Sequence, residues 1–407
     1  MRIAFVSEHA SPLAAVGGPD CGGQNVHVAG LARALGAAGH QVTVYTRRDS
    51  ATLQDQVRMC RGVTVEHVPA GPPVPVPRDK LLPYMSAFGR YLAARWVREP
   101  PDVVHAHFWM SGLAALAGAR GQGLPVVQTF HALGVVKRRH QGAEDTSPAS
   151  RIQLEVAIAR DAAAVIAACS DEAFELARLG VPRQRISVIP CGVDIRAFTP
   201  HGPVARRGRR PRLLAASRLV PRKGLDTAVQ ALTGVPDAEL VIAGGPPAAR
   251  LRGDPEYRRL ARLAAQLGVA DRVSFRGRVG RQDMPALMRS ADLVVSVPWY
   301  EPFGIVPLEA MACGVPVVAS AVGGHTDTVV DGVTGVLVPP RQPQVLARRI
   351  RELLAGPGLR GYGSAAAERV AGRYSWERIS QETAAVYERA CQGRRARSAR
   401  RSSSAGS

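Results

Sequence analysis

Short hydrophobic runs alternate with amphipathic stretches along the first half of the chain. The run at 3–6 is followed by a glycine-rich loop, by apolar positions at helical spacing over 26–35, and by another run at 42–45. This order predicts a strand, a helix and a second strand. Strands that alternate with helices indicate a parallel sheet covered on both faces. Further strands are predicted at 63–68, 103–105, 126–129, 164–167 and 186–189.

The alternation stops after Pro200 and restarts at Arg212, with strands predicted at 213–216, 240–243, 273–275, 293–297 and 315–319. The chain of 407 residues also exceeds the roughly 250–300 residues at which a single core stops growing. We therefore predict an α/β protein with two Rossmann-like, doubly wound domains that face each other across a cleft. The predicted parts are an N-terminal domain at 1–199, a linker at 200–211, a C-terminal domain at 212–373, a last helix at 374–391 that crosses back to the N-terminal domain, and a disordered basic tail at 392–407.

The composition, with 46% hydrophobic residues, is typical of a soluble globular protein. No apolar stretch reaches the roughly 18 residues that a membrane span needs. The apolar run at the N-terminus is too short for a signal peptide, so we expect a cytoplasmic protein. The six cysteines and the histidines lack the spacing of zinc ligands, so we expect reduced thiols and no metal site. A nicotinamide-dependent dehydrogenase is excluded because neither domain's first strand is followed by GxGxxG.

The formal net charge of +20 is concentrated in two runs, at 206–212 and at 393–404. Runs of this kind are usually solvated linkers or tails. No aromatic side chains interleave with them to stack bases, so we expect no specific nucleic-acid binding. Weak peripheral contact with an anionic membrane surface, at the inner face, is the better functional interpretation of this charge.

Two loops have the features of anion sites. The glycines at 17–18 and 22–23 follow the first strand and precede a helix expected near Gln24, where backbone N–H groups would lie at a positive helix end. A connection that needs glycine only for its turns is the alternative. Arg218 and Lys223 likewise follow the first strand of the second half, before a helix expected near Leu225.

Lysine is rare in this chain, because only Lys80, Lys137 and Lys223 occur among 53 basic residues. Because nearly every other cation is arginine, a lysine indicates a position that needs a compact point charge, such as a phosphate site. A solvated loop cation is the alternative for Lys223. No Asp-x-Asp pair occurs to hold a divalent ion beneath a nucleotide diphosphate. Protein cations and helix ends would therefore have to neutralise such a ligand.

The stretch EPFGIVPLE at 301–309 places Glu301 and Glu309 at its two ends. Pro307 suits the first position of a helix, and Glu309 in its first turn would then favour the helix dipole. Glu301 is not explained in this way, because it follows a strand at the edge where ligands bind. A carboxylate there could accept two hydrogen bonds from sugar hydroxyls. The N–H groups of four residues would face a diphosphate: Phe303, Gly304, Ile305 and Val306.

Together these stretches resemble the retaining GT-B glycosyltransferases of family 4, in the branch near the sucrose-phosphate synthases and the mycothiol-pathway inositol-phosphate glycosyltransferases. The resemblance covers residues 1–391 and rests on GGQNVHV at 22–28, HAHFWMSG at 105–112, TFHALG at 129–134, VIPCGVD at 188–194, SRLVPRKG at 217–224 and the Glu-x7-Glu motif.

The resemblance implies a nucleotide diphosphate sugar as co-substrate and no cofactor. It implies that Glu309 holds the ribose, that Glu301 grips the transferred sugar, and that Arg218 and Lys223 take the diphosphate. His131 matches a histidine beside the reacting sugar, for which a packed core histidine is the alternative. The remaining donor-binding positions that it implies are Gly22, Gly23, residues 303–306 and, near the base, Val279.

The acceptor site is implied less directly. Asn25 and Arg151 match positions that meet inositol phosphate in the mycothiol branch, and Lys137 is a further cation of the same half. For Arg151 the alternative is an ion pair with Glu155 one turn later on a helix. The chain departs from that branch at two positions where the branch has hydroxyl side chains, Phe108 and Ala132.

We therefore interpret the chain as a retaining, metal-independent glycosyltransferase. It would move a hexosyl group from a nucleotide diphosphate sugar to a small acceptor, for which a phosphorylated compound is a candidate. The predicted catalytic residues are His131, Arg218, Lys223 and Glu301. Two other interpretations are a GT-B-like sugar-nucleotide epimerase or phosphorylase, and a basic protein that binds nucleic acid or lipid surfaces and keeps a vestigial cleft. The sequence leaves the base, the sugar, the acceptor and the oligomeric state open.

Overall fold

The computed structural model describes residues 1–14 and 22–404, with side chains up to residue 393. Gly17 and Gly18, which the sequence suggested for an anion loop, lie outside the described residues. The described chain forms two compact units. Unit 1 contains residues 1–14, 22–190 and 376–404, and unit 2 contains residues 191–375. The division thus falls at 190, before the boundary at 199 that the sequence predicted.

Unit 1 is built on eight strands: β1 (Arg2–Val6), β2 (Gln41–Arg47), β3 (Gln56–Cys60), β4 (Val63–Val68), β5 (Val103–His107), β6 (Val126–Thr129), β7 (Ala164–Ala167) and β8 (Ile186–Val188). They form one sheet in the order β3-β4-β2-β1-β5-β6-β7-β8. All neighbours are parallel except β3, which pairs antiparallel with β4. The sequence pattern missed β3 because this edge strand is partly exposed along its whole length and lacks a continuous apolar run.

Helices cover both faces of the first sheet: α1 (Gly23–Ala37), α2 (Met85–Arg98), α3 (Trp109–Ala119), α4 (Gly134–Gln141), α5 (Arg151–Asp161) and α6 (Ser170–Arg178). Successive residues of β1 enter opposite cores, because side chains alternate along a strand. Ala4 and Val6 pack in a core with α2 and α3, whereas Ile3 and Phe5 pack in a core with α1. The sheet is therefore buried on both faces, as the apolar runs predicted.

Unit 2 contains six strands: β9 (Arg212–Ala216), β10 (Glu239–Ala243), β11 (Val273–Gly277), β12 (Leu293–Ser296), β13 (Val317–Ser320) and β14 (Gly335–Val338). Their order is β11-β10-β9-β12-β13-β14, and every neighbour is parallel. The short strand β14 was not predicted, and it begins with a glycine, which weakens the strand pattern. The helices of this unit are α7 (Leu225–Ala231), α8 (Pro255–Gln266), α9 (Met284–Arg289), α10 (Ile305–Ala312), α11 (Gly324–Thr328), α12 (Pro343–Ala355) and α13 (Leu359–Arg373).

The last helix, α14 (Trp376–Ser404), belongs to unit 1. Ile379 and Tyr387 are buried in the same core as Val28 and Leu31 of α1. The helix is longer than predicted, because residues 392–404 are helical rather than disordered. Arginine, which supplies five of these thirteen residues, is a good helix former. Neither α14 nor any other helix in the described part of the chain combines the length and the apolar character of a membrane span.

The strand order of each sheet reverses at one point, between β1 and β5 in unit 1 and between β9 and β12 in unit 2. In open α/β sheets, ligands bind outside the carboxyl ends of the strands at such a switch point. The loops that leave β9 and β12 carry Arg218, Lys223 and Glu301. The topology thus brings three of the predicted site residues to the same edge of the second sheet.

Candidate functional site

The loops that leave β9 and β12 meet in a buried ion pair. The Lys223 Nζ contacts a carboxylate oxygen of Glu301, and the two side chains are only 17% and 14% exposed. Gly224 makes this approach sterically feasible. Its φ of 66° lies in the left-handed region, and a Cβ there would lie 2.0 Å from the carbonyl oxygen of Val297. A glycine is therefore required where the Lys223 turn crosses the end of β12.

The pair has unequal effects on its two members. Burial alone would raise the pKa of the Glu301 carboxyl, but Lys223, His325 and Arg222 outweigh burial and lower the pKa to about 2. Burial lowers the pKa of the Lys223 ammonium, although Glu301 acts in the opposite direction. The carboxylate is therefore firmly ionised, whereas the buried ammonium would be stabilised by further negative charge.

Helix α10 begins at Ile305, not at Pro307 as the sequence predicted. Gly304 precedes it in a left-handed conformation, with φ 68° and ψ 36°. Pro307 takes the third helical position, where its missing N–H costs nothing because the first four N–H groups of a helix have no intrahelical partner. The N–H groups of Ile305 and Val306 lie in the first turn, at the positive end of the helix dipole.

Because the predicted helix began two residues too late, Glu309 was also misplaced: it lies in the second turn of α10 and not in the first. Its partner is Arg281, whose Nη1 donates to Oε1 of Glu309 over 2.7 Å. Burial raises the pKa of Glu309, although Arg281 opposes this shift. Arg281 follows Val279 in the loop that leaves β11. The sequence analysis missed Arg281, and the available signal was a cation two residues from a predicted base-binding position.

His131 lies in a buried group of histidines in unit 1. Its Nε2 is 3.0 Å from Nδ1 of His107, and the two rings stack at 5.2 Å. The ring of His27 is also 5.2 Å away. Burial lowers the pKa of both His131 and His107 well below the ordinary value, so the rings are neutral. No three His, Cys, Asp or Glu side chains within the described residues are grouped so as to hold a metal ion.

The backbone at His131 is strained, because its φ of 63° is left-handed in a residue with a Cβ. Such a conformation costs roughly 1–2 kcal/mol and is concentrated at functional sites. Phe108 and Arg341 also have a positive φ. The role of His131 beside the reacting sugar stays a prediction.

Comparison with known proteins relates this geometry to a family. The protein-family model described as Glycosyltransferase Family 4 matches residues 21–197. The family model described as Glycosyl transferases group 1 matches residues 201–370. A D-inositol 3-phosphate glycosyltransferase of Streptomyces bingchenggensis is 36% identical, over 97% of this chain and 90% of the relative. D-inositol 3-phosphate glycosyltransferase 1 of Catenulispora acidiphila is 37% identical, over 97% of each chain. The solved structure of a sucrose-phosphate synthase from Thermosynechococcus elongatus superposes with a TM-score of 0.88 and 33% identity, over 96% of this chain and 98% of that one.

The chain belongs to this family of GT-B glycosyltransferases. The predictions of the family, of the two Rossmann-like sheets and of a transferase are confirmed. The roles of individual residues stay predictions, which the geometry of the glycosyltransferase supports to different degrees.

Two of the three predicted acceptor residues converge on one oxygen atom. Lys137 Nζ and Arg151 Nη1 both donate to Oγ of Ser147, over 2.9 and 3.1 Å. Each cation also has a carboxylate partner: Asp145 lies 3.0 Å from Lys137, and Glu155 lies 2.8 Å from Arg151. The Arg151–Glu155 pair was the alternative that the sequence offered for Arg151. The structure therefore shows that pairing, together with a point where two cations meet.

Asn25 is placed on a different loop. Its Nδ2 donates to the carbonyl oxygen of Ser11 over 3.0 Å, and its Oδ1 accepts from the N–H of Gly22 over 3.0 Å. These bonds hold the turn at the N-terminus of α1, where Gly22 and Gly23 were predicted. No atom of the described residues lies within 4 Å of a Cβ built at Gly22. Asn25 shapes the predicted glycine turn.

Phe108 stood out in the sequence only as a departure from the family. In the structure its ring lies beneath two arginine side chains of unit 1. Its φ is 85°, in the left-handed region. The guanidinium of Arg151 lies 5.2 Å from the ring centre and that of Arg78 lies 5.7 Å away. These cation–π contacts hold Arg151 over an aromatic face. Arg78, at 35% side-chain exposure, is a second arginine beside Phe108 and was not among the predicted acceptor residues.

Proposed function

We propose that this glycosyltransferase is a retaining, metal-independent enzyme that moves a hexosyl group from a nucleotide diphosphate sugar to a small phosphorylated acceptor. The observation that carries the proposal is the buried Lys223–Glu301 pair at the switch point of the second sheet. It places a cation suited to a phosphate in contact with a carboxylate suited to sugar hydroxyls. A diphosphate sugar presents both groups side by side.

Donor binding would exchange the partners of this pair. The diphosphate would replace Glu301 as the partner of Lys223, and its added negative charge would raise the pKa of the buried ammonium again. Glu301, which stays ionised, would then accept hydrogen bonds from two hydroxyls of the transferred sugar. Arg218 and the first N–H groups of α10 would complete the diphosphate site.

The same groups would act on the transition state. Negative charge develops on the diphosphate as the bond to the sugar breaks, and fixed cations in a site of low dielectric stabilise this charge strongly. Arg218 and Lys223 would supply the neutralisation for which other enzymes use a divalent ion. In a retaining reaction the acceptor approaches from the face that the diphosphate leaves, and His131, as a neutral ring, would contact the sugar.

The acceptor is proposed to be phosphorylated because Lys137 and Arg151 meet at Ser147 Oγ. A phosphate oxygen is a stronger acceptor than a hydroxyl and would suit the same two donors. Asn25 would support this site through the turn at Gly22. The printed names of the relatives, D-inositol 3-phosphate glycosyltransferase and sucrose-phosphate synthase, agree with a phosphorylated polyhydroxy compound in the reaction.

The test is a matrix of donors and acceptors. UDP-glucose, UDP-N-acetylglucosamine, GDP-glucose and ADP-glucose are each incubated with D-inositol 3-phosphate, a hexose 6-phosphate, and the dephosphorylated form of each acceptor. Release of the nucleoside diphosphate is measured, and the anomeric configuration of the product is read by NMR. We expect acceptor-dependent release, retained configuration, no effect of EDTA, and a kcat/KM roughly 100-fold or more higher for the phosphorylated acceptor.

The outcomes separate the parts of the proposal. An inverted product would refute retention, and activity lost in EDTA and restored by a divalent ion would refute metal independence. Equal rates with phosphorylated and dephosphorylated acceptors would refute the anionic acceptor. Release of nucleotide without any acceptor, at the full rate, would refute glycosyl transfer to these compounds.

A further inference from the structure

The Arg281–Glu309 contact lies within unit 2, between the loop after β11 and the second turn of α10. One nitrogen of the guanidinium donates to Oε1 of Glu309 over 2.7 Å. The guanidinium carbon also lies 5.1 Å from the ring centre of Phe198. Two separate contacts therefore define where the Arg281 side chain lies. The bond occupies one site on Oε1 and leaves Oε2 of Glu309 for another partner.

The surroundings of Glu309 make Arg281 important for its charge. Glu309 is buried, and burial raises its pKa while Arg281 opposes that shift. The thiols of Cys191 and Cys313, which Glu309 influences, have pKa values raised by burial and stay protonated at neutral pH. Both thiols are therefore neutral and add no charge beside Glu309.

The helices packed against α10 carry other ionisable groups. His325 on α11 is neutral near pH 7, because burial lowers its pKa to about 4. Arg289 of α9 donates to the carbonyl oxygens of Thr199 and Pro203. The other nearby charged groups are Arg369 of α13, which donates to the carbonyl oxygens of Asp327 and Thr328, and Asp283, which is exposed. Arg281 is thus the cation that bonds directly to Glu309.

We propose that Arg281 is a positioning residue that keeps Glu309 ionised and oriented for the ribose, and thereby makes the donor site select ribonucleotides over 2′-deoxyribonucleotides. The inference rests on the proposed function and on the role that the family resemblance implies for Glu309, which is to hold the ribose. An ionised carboxylate accepts a hydrogen bond from each hydroxyl of a cis-diol. A protonated carboxyl has an O–H group that donates, so one of its oxygens is a poorer acceptor. Arg281 also fixes the orientation of the Glu309 carboxylate by holding Oε1.

The test compares Arg281→Gln and Arg281→Lys with the wild type by titration calorimetry. The ligands are UDP, GDP and ADP and their 2′-deoxy counterparts, and the readout is the ratio of the two Kd values for whichever base binds. The ratio cancels the protonation of the phosphates, which both ligands share. We expect the wild type to prefer the ribonucleotide by roughly 10- to 100-fold. Arg281→Gln should reduce this preference to about threefold or less at pH 7, and Arg281→Lys should keep a larger part of it.

The pH profile distinguishes this role from a structural one. Without Arg281 the pKa of Glu309 rises further, so a larger fraction of the carboxyl is protonated at any given pH. The preference of Arg281→Gln should therefore recover as the pH is raised, with a profile displaced to higher pH than that of the wild type. Binding of the 2′-deoxy ligand should fall less than that of the ribonucleotide in Arg281→Gln, because the deoxy ligand keeps only one of the two hydroxyls that Glu309 would hold.

Arg207→Gln is the matched control. Arg207 lies in the same unit, is 32% exposed against 36% for Arg281, and also bonds to one carboxylate, that of Asp292, over 2.7 Å. The Arg207→Gln variant should leave the preference for the ribonucleotide unchanged.

An unchanged preference in Arg281→Gln at every pH, or an equal loss of ribonucleotide and 2′-deoxyribonucleotide affinity, would overturn this inference but not the proposed function. If Arg281→Gln fails to fold, Arg281→Lys decides: a ribonucleotide preference that is partly reduced supports the inference, and an unchanged preference or an equal loss of ribo and deoxy affinity overturns it. Failure of the wild type to bind any of the three nucleotides would overturn the proposed function.

Discussion

Removal of the Lys223 ammonium tests the donor site through stability as well as activity. In Lys223→Ala the Glu301 carboxyl stays buried but loses its partner, so it must take up a proton or remain as an uncompensated charge. Activity should fall by roughly 100-fold or more in kcat, because the stabilisation that grows in the transition state is lost. Lys223→Arg should restore only part of the activity, since a planar guanidinium replaces a compact point charge.

The stability change can be worked from the carboxyl. Its pKa is lowered from 4.5 to about 2, and at about 1.36 kcal/mol per pKa unit this corresponds to about 3 kcal/mol of stabilisation at neutral pH. A folded-state pKa below the unfolded value stabilises fully above the unfolded pKa, so the contribution is present above about pH 5 and is lost as the pH falls toward 2. A loss of about 3 kcal/mol agrees with the roughly 3–5 kcal/mol typical of a broken buried pair.

The assay is thermal unfolding of wild type, Lys223→Ala, Glu301→Gln and the double variant at several pH values. We expect the transition of unit 2 in Lys223→Ala to fall by roughly 6–12 °C at pH 7. The difference from the wild type should shrink to about half by pH 3. The double variant should be more stable than Lys223→Ala, because it buries neither charge alone. Additive losses, or a difference that does not change with pH, would refute the assignment of this pair as the dominant influence on Glu301.

Three other substitutions test the remaining site. Glu301→Gln should impair sugar transfer while nucleoside diphosphate binding, measured by calorimetry, stays near wild type, whereas Glu309→Ala should weaken nucleotide binding about 10-fold or more; equal losses would contradict separate roles. Arg151→Lys should raise the acceptor KM about 10-fold, since the planar fork is lost while Glu155 keeps a cation, and an unchanged KM would remove Arg151 from the acceptor site. Gly304→Ala should cost about 1–2 kcal/mol in calorimetric stability because the φ of 68° is left-handed, and it should weaken diphosphate binding; a neutral effect would show that this turn can relax.

Several elements could be predicted because their local sequence reports their burial. The strands at 63–68, 126–129 and 164–167 have the same ends in the structure as in the prediction. Each contains a short run with two or more Val or Ile residues, a strand preference that is visible without any tertiary information. The edge strand β3 lacks such a run, and the start of α10 depends on a left-handed glycine rather than on the proline that follows it. These two elements were therefore missed or misplaced.

Local sequence was enough to predict the alternation of strands and helices, the division into two α/β units, and the residues that carry the motifs. The Arg151–Glu155 pair could also be anticipated, since residues four apart share one face of a helix. The contact of Lys223 with Glu301, 78 positions away, and that of Arg281 with Glu309, 28 positions away, became visible only in the folded chain. The reason is that hydrophobic patterns record which face of each element is buried, whereas contacts between loops depend on strand order and turn geometry. Those are settled when the whole sheet packs.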